Sequence, residues 1–375
     1  MCGKTPISVF IGSYLSYSET FIYDQLKFQS KFHSQVLAYR ENKARSQFPY
    51  NHVTILNPAE GLCYYISGNS PTFLRSIESH KSQLLHAHFG TNGAYAAGFA
   101  RRLHLPLVVS FHGHDAAGLA PENRWALRYF RYHLKAGQMI ETTCSFLPAS
   151  KDLADDLIRK YHVPADKVSV HRLGIDLNQF SYVARPERVP SILMVGRFVE
   201  KKGFEYGLLA FAKLFEESRN LRLSIVGSGK FLSKYRRIVK EYNLGNSVSF
   251  LGVLNPGELE SVMQGHDILL APSVTAKNGD KESGLLVLKE AAATGMATIG
   301  TIHGGIPEII QHAKTGYLVQ EKNVDEMYRY LKILVNDFNL RVELGKKARA
   351  FVATHYDARK QNALLEAHFE NILAR

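Results

Sequence analysis

Residues 191–232 read SILMVGRFVEKKGFEYGLLAFAKLFEESRNLRLSIVGSGKFL. Ile192–Val195 and Leu221–Val226 are short apolar runs rich in Ile, Leu and Val. Between them, 203–217 carries apolar residues at helical spacing. Strand, helix and strand in that order predict two parallel strands joined by a crossover helix. The strands are apolar throughout rather than alternating, which predicts a sheet covered on both faces.

The same rhythm continues downstream. Val248–Leu251, Ile268–Ala271 and Ala297–Ile299 read as strands, and 230–243, 256–264 and 284–295 as helices. Upstream, Ile7–Ile11, Gln35–Tyr39, Val53–Leu56, Leu84–Ala87, Leu107–Phe111, Ser145–Pro148 and Val168–His171 read as strands. The helices there fall at 20–30, 71–80, 92–103, 123–136 and 150–161. The fold class is therefore α/β, with two doubly wound units. Pro186, Pro190 and mixed charges mark a linker at 181–190, which suggests domains at 1–183 and 184–355. Residues 338–373 are helical with a break at 355–357, so 356–375 forms a final helix of its own.

Composition narrows the class. The chain has 375 residues, of which 45% are hydrophobic and 21% charged, as in ordinary globular proteins. No apolar run reaches the ~18 residues of a membrane helix, and Met1–Phe10 lacks a signal-peptide pattern. Cys2, Cys63 and Cys144 are widely separated, which argues against a disulfide framework or zinc site and suits a reducing cytoplasm. The net charge of +12 is spread over both halves: 20 basic against 13 acidic residues in 1–185, and 26 against 21 in 186–375. Such a field favours a nucleotide, a phosphorylated substrate, an anionic membrane or a nucleic acid.

Ligands of open α/β sheets bind beyond the carboxyl ends of strands, so the residues that follow each strand are the informative ones. Gly196-Arg197-Phe198-Val199-Glu200-Lys201-Lys202-Gly203 puts glycines and cations before a helix, a pattern suited to an anion. A solvated basic loop is the plain alternative. Gly227-Ser228-Gly229 is a tight strand-to-helix turn without the third glycine of a dinucleotide fingerprint. Glu282 is expected to open a helix that contains Glu290, two carboxylates near one helical side, the plain alternative being a first-turn dipole partner at Glu282 and a solvated face at Glu290. Free N–H groups of Ser283, Gly284 and Leu285 would then face an anion. Glu290 lies in an apolar stretch, where a carboxylate needs a partner such as a ribose diol.

The pattern extends to other strand ends. His303-Gly304-Gly305 follows another strand and allows close backbone approach to a ligand. In the first half, His112-Gly113-His114-Asp115 follows a strand, and His88 ends a neighbouring one. Most of the 16 histidines must be structural or superficial, and His112 stands out, with His88 behind it. Gly12 and Ser13 follow the first strand. Ser18 is expected to cap a helix, with Glu19 in its first turn.

Taken together, these motifs resemble the family 4 glycosyltransferases with the GT-B fold. The carriers are Glu282-Ser-Gly-Leu-Leu-Val-Leu-Lys-Glu290, the Gly196–Gly203 loop, Leu173-Gly174-Ile175-Asp176, Ile225–Gly229, Gly304–Glu308 and Phe111–Asp115. Ser18-Glu19-Thr20-Phe21-Ile22 is similar to members that build surface polysaccharides. The resemblance implies two Rossmann-like domains facing a central cleft, and retaining transfer of a sugar from a nucleotide diphosphate sugar, most often a UDP-sugar.

It also implies residue roles. Arg197 and Lys202 would hold the diphosphate, Glu290 the ribose and Glu282 the transferred sugar. His112 would sit near the reacting sugar. Gly12, Ser13, Gly196, Gly227 and the amides of Ser283, Gly284, Leu285 and Leu286 would complete the donor site. His88, Ser18, Glu19 and His114 would meet the acceptor, which the resemblance leaves as a glycan, a lipid-linked molecule or a small molecule. Ser283 replaces the family's usual Gly but keeps its N–H.

No cofactor and no metal are expected, since no D-x-D triplet occurs. A nucleotide-sugar 2-epimerase of the same fold and a basic nucleic-acid-binding protein are the rival readings. The second lacks any helix-turn-helix, zinc-finger or RNP pattern. Arg124, Arg128, Arg131 and Lys135, with Trp125 and Phe130 nearby, would form a basic helical face. That face suits peripheral contact with an anionic membrane at its cytoplasmic side, and a solvated basic face over a buried aromatic stripe is the plain alternative.

Overall fold

The computed structural model describes residues 3–120, 123, 126 and 129–375. The chain divides into two compact units. The first comprises Met1–Gly174 with Ala358–Arg375, and the second Ile175–Asp357. The linker composition pointed to 183/184, whereas the change of unit falls at 174/175. The reason is local packing. The Ile175 N–H donates to the Tyr356 carbonyl at 2.9 Å, and Phe180 is buried in the second unit's core. Arg185 donates to the Met263 and Thr294 carbonyls. The polar stretch thus already belongs to the second unit.

In the first unit, β1 (Thr5–Ser13), β2 (Phe32–Arg40), β3 (Val53–Ile55), β4 (Leu84–His88), β5 (Leu107–Phe111) and β6 (Thr143–Pro148) form one parallel sheet. Their order is β3-β2-β1-β4-β5-β6. In the second, β7 (Ser191–Val195), β8 (Arg222–Val226), β9 (Val248–Gly252), β10 (Ile268–Ala271), β11 (Ala297–Thr301) and β12 (Tyr317–Val319) are ordered β12-β11-β10-β7-β8-β9. Each sheet grows outward from its first strand, then restarts on the other side of it. The reversal lies between β1 and β4 in one unit and between β7 and β10 in the other. At such a reversal the flanking crossovers diverge and open a crevice above the strand ends.

Burial follows the sequence pattern. Ile192, Met194, Leu223, Ile225, Ile268 and Leu270 lie in one core cluster with Phe204, Leu208 and Phe211 of helix Phe204–Glu217. Leu193, Leu269, Leu288 and Ala291 lie in the cluster on the other side. Both faces of the sheet are covered, as continuous apolar strands require.

Several elements differ from expectation. Val168–His171 is not a strand. Ser169 and His171 donate to the Phe146 and Pro148 carbonyls, and a lone bridge joins Phe146 to Val168. Helices Pro58–Ser67 and Val324–Asn336 and the short strand β12 were not anticipated. Of the helix expected at 123–136, residues 130–136 belong to helix Phe130–Thr142, while 124, 125, 127 and 128 lie outside the described residues. Ser18 does not cap helix Thr20–Lys27. It is exposed, and its hydroxyl meets that of Ser16 at 3.0 Å. Glu19 reaches back to the Ser16 N–H at 2.7 Å, which fixes the turn from the other direction.

Helix Ala358–Leu373 packs on the first unit. Its Glu366 carboxylate accepts from the Ser30 N–H at 2.7 Å, the Ser30 hydroxyl at 2.7 Å and the Lys31 N–H at 2.9 Å. Phe369 meets Phe32 edge-on, with ring centroids 5.5 Å apart.

Candidate active site

The second unit gathers its polar residues at the carboxyl ends of β7, β8, β10 and β11, adjacent strands around the reversal. The Arg197 loop leaves β7 and the Gly227 turn leaves β8. Gly227 has φ +132°, and a Cβ there would stand 2.0 Å from the Gly196 carbonyl oxygen. The two loops can lie against each other only because that atom is missing. The Phe198 N–H completes the contact by donating to the Ser228 carbonyl at 2.7 Å.

Arg197 is exposed, whereas Lys202 and Glu282 are largely buried and pair at 3.0 Å. Glu282 Oε1 has no hydrogen-bond partner, so the contact is a charge pair rather than an aligned bond. Lys201 points elsewhere. Its ammonium pairs with Asp280 at 3.0 Å and donates to the Lys281 carbonyl at 3.1 Å, tying down the loop before Glu282.

The two members of the Lys202–Glu282 pair shift in the same direction. Burial pushes the Lys202 ammonium below its ordinary range; Lys201 and Arg197 push the same way, against the pull of Glu282. Burial opposes ionisation of Glu282, but Lys202 and Lys201 outweigh it and hold the carboxyl at about 2. Both groups are desolvated, and the cations Lys201, Lys202 and Arg197 stand near the carboxylates Glu282 and Asp280. Such a site favours a further anion.

This has a consequence for stability. The Glu282 pKa is depressed on folding, so its contribution is present above the ordinary carboxylate range and is lost as pH falls toward about 2. The urea midpoint of the wild type is expected to fall more steeply between pH 6 and pH 3 than that of Glu282→Gln. Parallel curves would show that the pair adds nothing to stability.

Glu282 does not open a helix, contrary to expectation. The helix is Leu286–Thr294, with Leu285 at its cap. The cause lies in β11's following loop. The Glu282 N–H donates to His303 Nε2 at 3.0 Å, and the Glu282 carbonyl accepts from the Gly305 N–H at 3.2 Å. Both ends of the residue are occupied outside any helix. Gly304 has φ +50°, and a Cβ there would stand 2.0 Å from the Glu282 oxygen. Ser283 and Leu285 are buried, and Gly284 and Leu286 are partly buried. Glu290 is buried inside the helix at 6% exposure, so it is no solvated face.

The first unit holds a separate constellation. Gly12, Ser13, Glu19 and His114 line a cavity of 1060 Å³ walled by Tyr39, Tyr65 and Tyr95. Tyrosine faces of this kind suit the apolar faces of sugar rings. His112 follows β5; its N–H donates to Asp115 Oδ1 at 3.0 Å, and its Nδ1 is buried without a hydrogen-bond partner. His88 Nδ1 meets His112 Nε2 at 3.2 Å. His88 is buried at 1% exposure, packed against His112. Burial and neighbouring histidines keep both rings well below the usual histidine range, hence neutral near pH 7.

Sequence reasoning missed the partnership of His303 with Glu321. Its one available signal was a histidine next to two glycines at a strand end. Among the described residues, no group of three or more His, Cys, Asp or Glu side chains has the arrangement of a metal site.

Two family descriptions meet on this chain. Residues 178–351 match the model described as "Glycosyl transferases group 1", and residues 19–179 match "Glycosyltransferase Family 4". The chain belongs to glycosyltransferase family 4. Among curated proteins it is similar to the putative colanic acid biosynthesis glycosyltransferase WcaL of Escherichia coli, with 32% identity over 63% of this chain and 57% of the relative. It is also similar to the amylovoran biosynthesis glycosyltransferase AmsK of Erwinia amylovora, with 30% identity over 52% of this chain and 48% of the relative. The chain thus matches only about half the length of these two relatives. Among solved structures, Anabaena HepE in complex with UDP and glucose shares the fold at TM-score 0.80, with 17% identity over 98% of this chain and 100% of that one. Sucrose-phosphate synthase from Thermosynechococcus elongatus does so at TM-score 0.78, with 18% identity over 99% and 100%. Both units are Rossmann-like, and the architecture is that of GT-B glycosyltransferases.

Proposed function

We propose that the protein transfers a sugar, with retention, from a nucleotide diphosphate sugar to a hydroxyl of a glycan or lipid-linked acceptor, and that the donor is a UDP-sugar. The observation that carries this reading is the buried Lys202–Glu282 pair at the strand reversal, with Lys202 on the same β7 loop as the exposed Arg197. A nucleoside diphosphate is the anion that fits it. Arg197 and Lys202 neutralise the diphosphate, joined by the N–H groups that open helix Leu286–Thr294. Glu290 accepts from the ribose hydroxyls. Glu282 accepts from hydroxyls of the transferred sugar. Anabaena HepE, which has the same fold, was solved with UDP and glucose, which supports the donor class.

In the transfer itself, the bond from the anomeric carbon to the β-phosphate oxygen breaks, and its electron pair leaves with the diphosphate. The acceptor oxygen bonds the anomeric carbon from the same face. Its proton passes to the departing phosphate oxygen. Lys202 and Arg197 face the charge that grows on that diphosphate, where electrostatic stabilisation lowers the barrier. No metal is needed for this role, so turnover is expected to persist in excess EDTA. Loss in EDTA with recovery on adding Mg²⁺ or Mn²⁺ would refute this part.

The first unit supplies the acceptor cavity, with Glu19 and His114 on its walls and Gly12 and Ser13, read as donor-site residues, lining the same cavity. An apolar patch favours a lipid-linked acceptor at an anionic membrane. Leu62 and Ile66 of helix Pro58–Ser67 are 60% and 52% exposed, and Leu134 of helix Phe130–Thr142 is 70% exposed. Arg131 joins the two helices by donating to the Tyr65 and Ile66 carbonyls, and Lys135 lies over the Tyr95 ring at 5.8 Å. Arg131 is therefore a bridge between helices rather than one cation of a solvated face. Arg124, Trp125 and Arg128 lie outside the described residues. No helix among the described residues is long and apolar enough to cross a membrane. The protein is expected to sediment with anionic vesicles at low salt, and Leu62→Gln with Ile66→Gln to abolish it. Failure of the wild type to sediment would remove the membrane part.

The test of the whole reading is a screen of nucleotide sugars by thermal shift, followed by transfer assays with and without acceptor. Stabilisation by UDP-sugars and acceptor-dependent release of UDP are expected. Conversion of the donor without any acceptor would point to an epimerase instead.

A further inference from the structure

The Glu282 peptide is held by a relay that begins far along the chain. Its N–H is a donor, so His303 Nε2 must be the acceptor at their 3.0 Å contact. The ring proton therefore sits on Nδ1, which donates to Glu321 Oε1 at 2.7 Å. Glu321 follows β12, and its carboxylate also accepts from the Thr275 N–H at 2.9 Å and the Thr275 hydroxyl at 3.0 Å. Burial opposes ionisation of Glu321, but the donors from Thr275 and His303 keep its carboxyl below the ordinary range. The His303 side chain is fully buried, while that of Glu321 is 28% exposed. The relay fixes the ring's tautomer and orientation, and through the ring the place of Glu282.

We propose that His303 and Glu321 are positioning residues that hold the Glu282 segment in the geometry the donor sugar requires. This rests on the transfer reading above. Neither side chain needs to touch substrate. Their effect runs through the Glu282 backbone to its carboxylate, the group read as holding the transferred sugar. Glu290 lies within helix Leu286–Thr294 and Arg197 in the loop after β7, both outside the segment the relay holds, so nucleotide binding is expected to depend on it little.

Three variants test the relay: His303→Phe, which keeps a ring but neither accepts nor donates; His303→Gln, whose Oε1 can stand in for Nε2; and Glu321→Ala, at a partly exposed site that spares the core. Three quantities are measured on each: hydrogen exchange of segment 280–286, affinity for UDP, and transfer turnover. His303→Phe and Glu321→Ala are expected to speed exchange of that segment and to lower turnover roughly 10-fold or more. UDP affinity should stay within about 3-fold, as expected when the loss falls on the transition state rather than on binding. His303→Gln should recover most of the turnover. Faster exchange with undiminished turnover overturns the proposal, as does unchanged exchange in both disrupting variants. Equal loss of UDP affinity and turnover also overturns it, because it marks a general structural role. Exchange reads the relay without catalysis. A wild type that is inert toward every nucleotide sugar, yet shows these exchange differences, would refute the transfer reading and leave the relay standing.

Discussion

Lys202→Ala is expected to lower transfer turnover by at least ~10²-fold, the usual cost of removing one electrostatic donor from a developing anion. The variant does more than delete a cation. It leaves Glu282 as a buried carboxylate without its close partner, and breaking a buried pair this way costs about 3–5 kcal/mol. Part of that cost is avoided if Glu282 takes up a proton, so its pKa should rise from about 2. The double variant Lys202→Met with Glu282→Gln separates the two effects. It should regain much of the stability lost in Lys202→Ala and none of the turnover. A turnover near wild type in either variant would end the assignment of Lys202 to the diphosphate. Circular dichroism melts alongside steady-state assays are sufficient to decide.

Glu290→Ala should act on binding instead. A hydrogen bond to a charged acceptor is worth roughly 1.5–3 kcal/mol, so UDP affinity should fall by ~10- to 150-fold. Glu290 is buried in a helix of small residues, and truncation there also leaves a void. Glu290→Gln controls for this by keeping the volume and losing the charge. It should weaken UDP binding with a melting temperature close to wild type. Calorimetric titration showing unchanged affinity for UDP and for every other nucleotide would remove Glu290 from the donor site.

The strands could be read from the chain because a buried parallel strand has a local signature, a short apolar run bounded by polar turns. Eleven of the twelve strands in the two sheets rest on nothing more elaborate than that. Strand β12 escaped notice because three residues at a sheet edge carry too little pattern. Helix Pro58–Ser67 escaped because Leu62, Tyr65 and Ile66 are exposed, so the apolar positions do not trace a buried face. Its start signal was nonetheless present: Asn57 caps the Glu60 N–H, with Pro58 following the cap. Apolar period and cap disagreed, and the cap was the better guide.

The candidate site was legible in its residue types but not in its partnerships. Lys202 and Glu282 are recognisable as loop residues after two strands, yet only the adjacency of β7 and β10 brings them to 3.0 Å. His303 acts through the backbone of another residue, which leaves no trace in a pattern of side-chain types. The misplaced helix start at Glu282 has the same origin. Local propensity allowed a helix there, and hydrogen bonds from a distant loop overrode it.

The docking of helix Ala358–Leu373 on the first unit has a consequence for the order in which the protein is made. Most of the first unit leaves the ribosome before the second, but the carboxylate that accepts from Ser30 and Lys31 follows the whole second unit in the chain. Until Glu366 arrives, those N–H groups face water and Phe32 lacks Phe369. The first unit is therefore completed only by a helix that follows the whole of the second in the chain, so its full packing waits for residues 358–373.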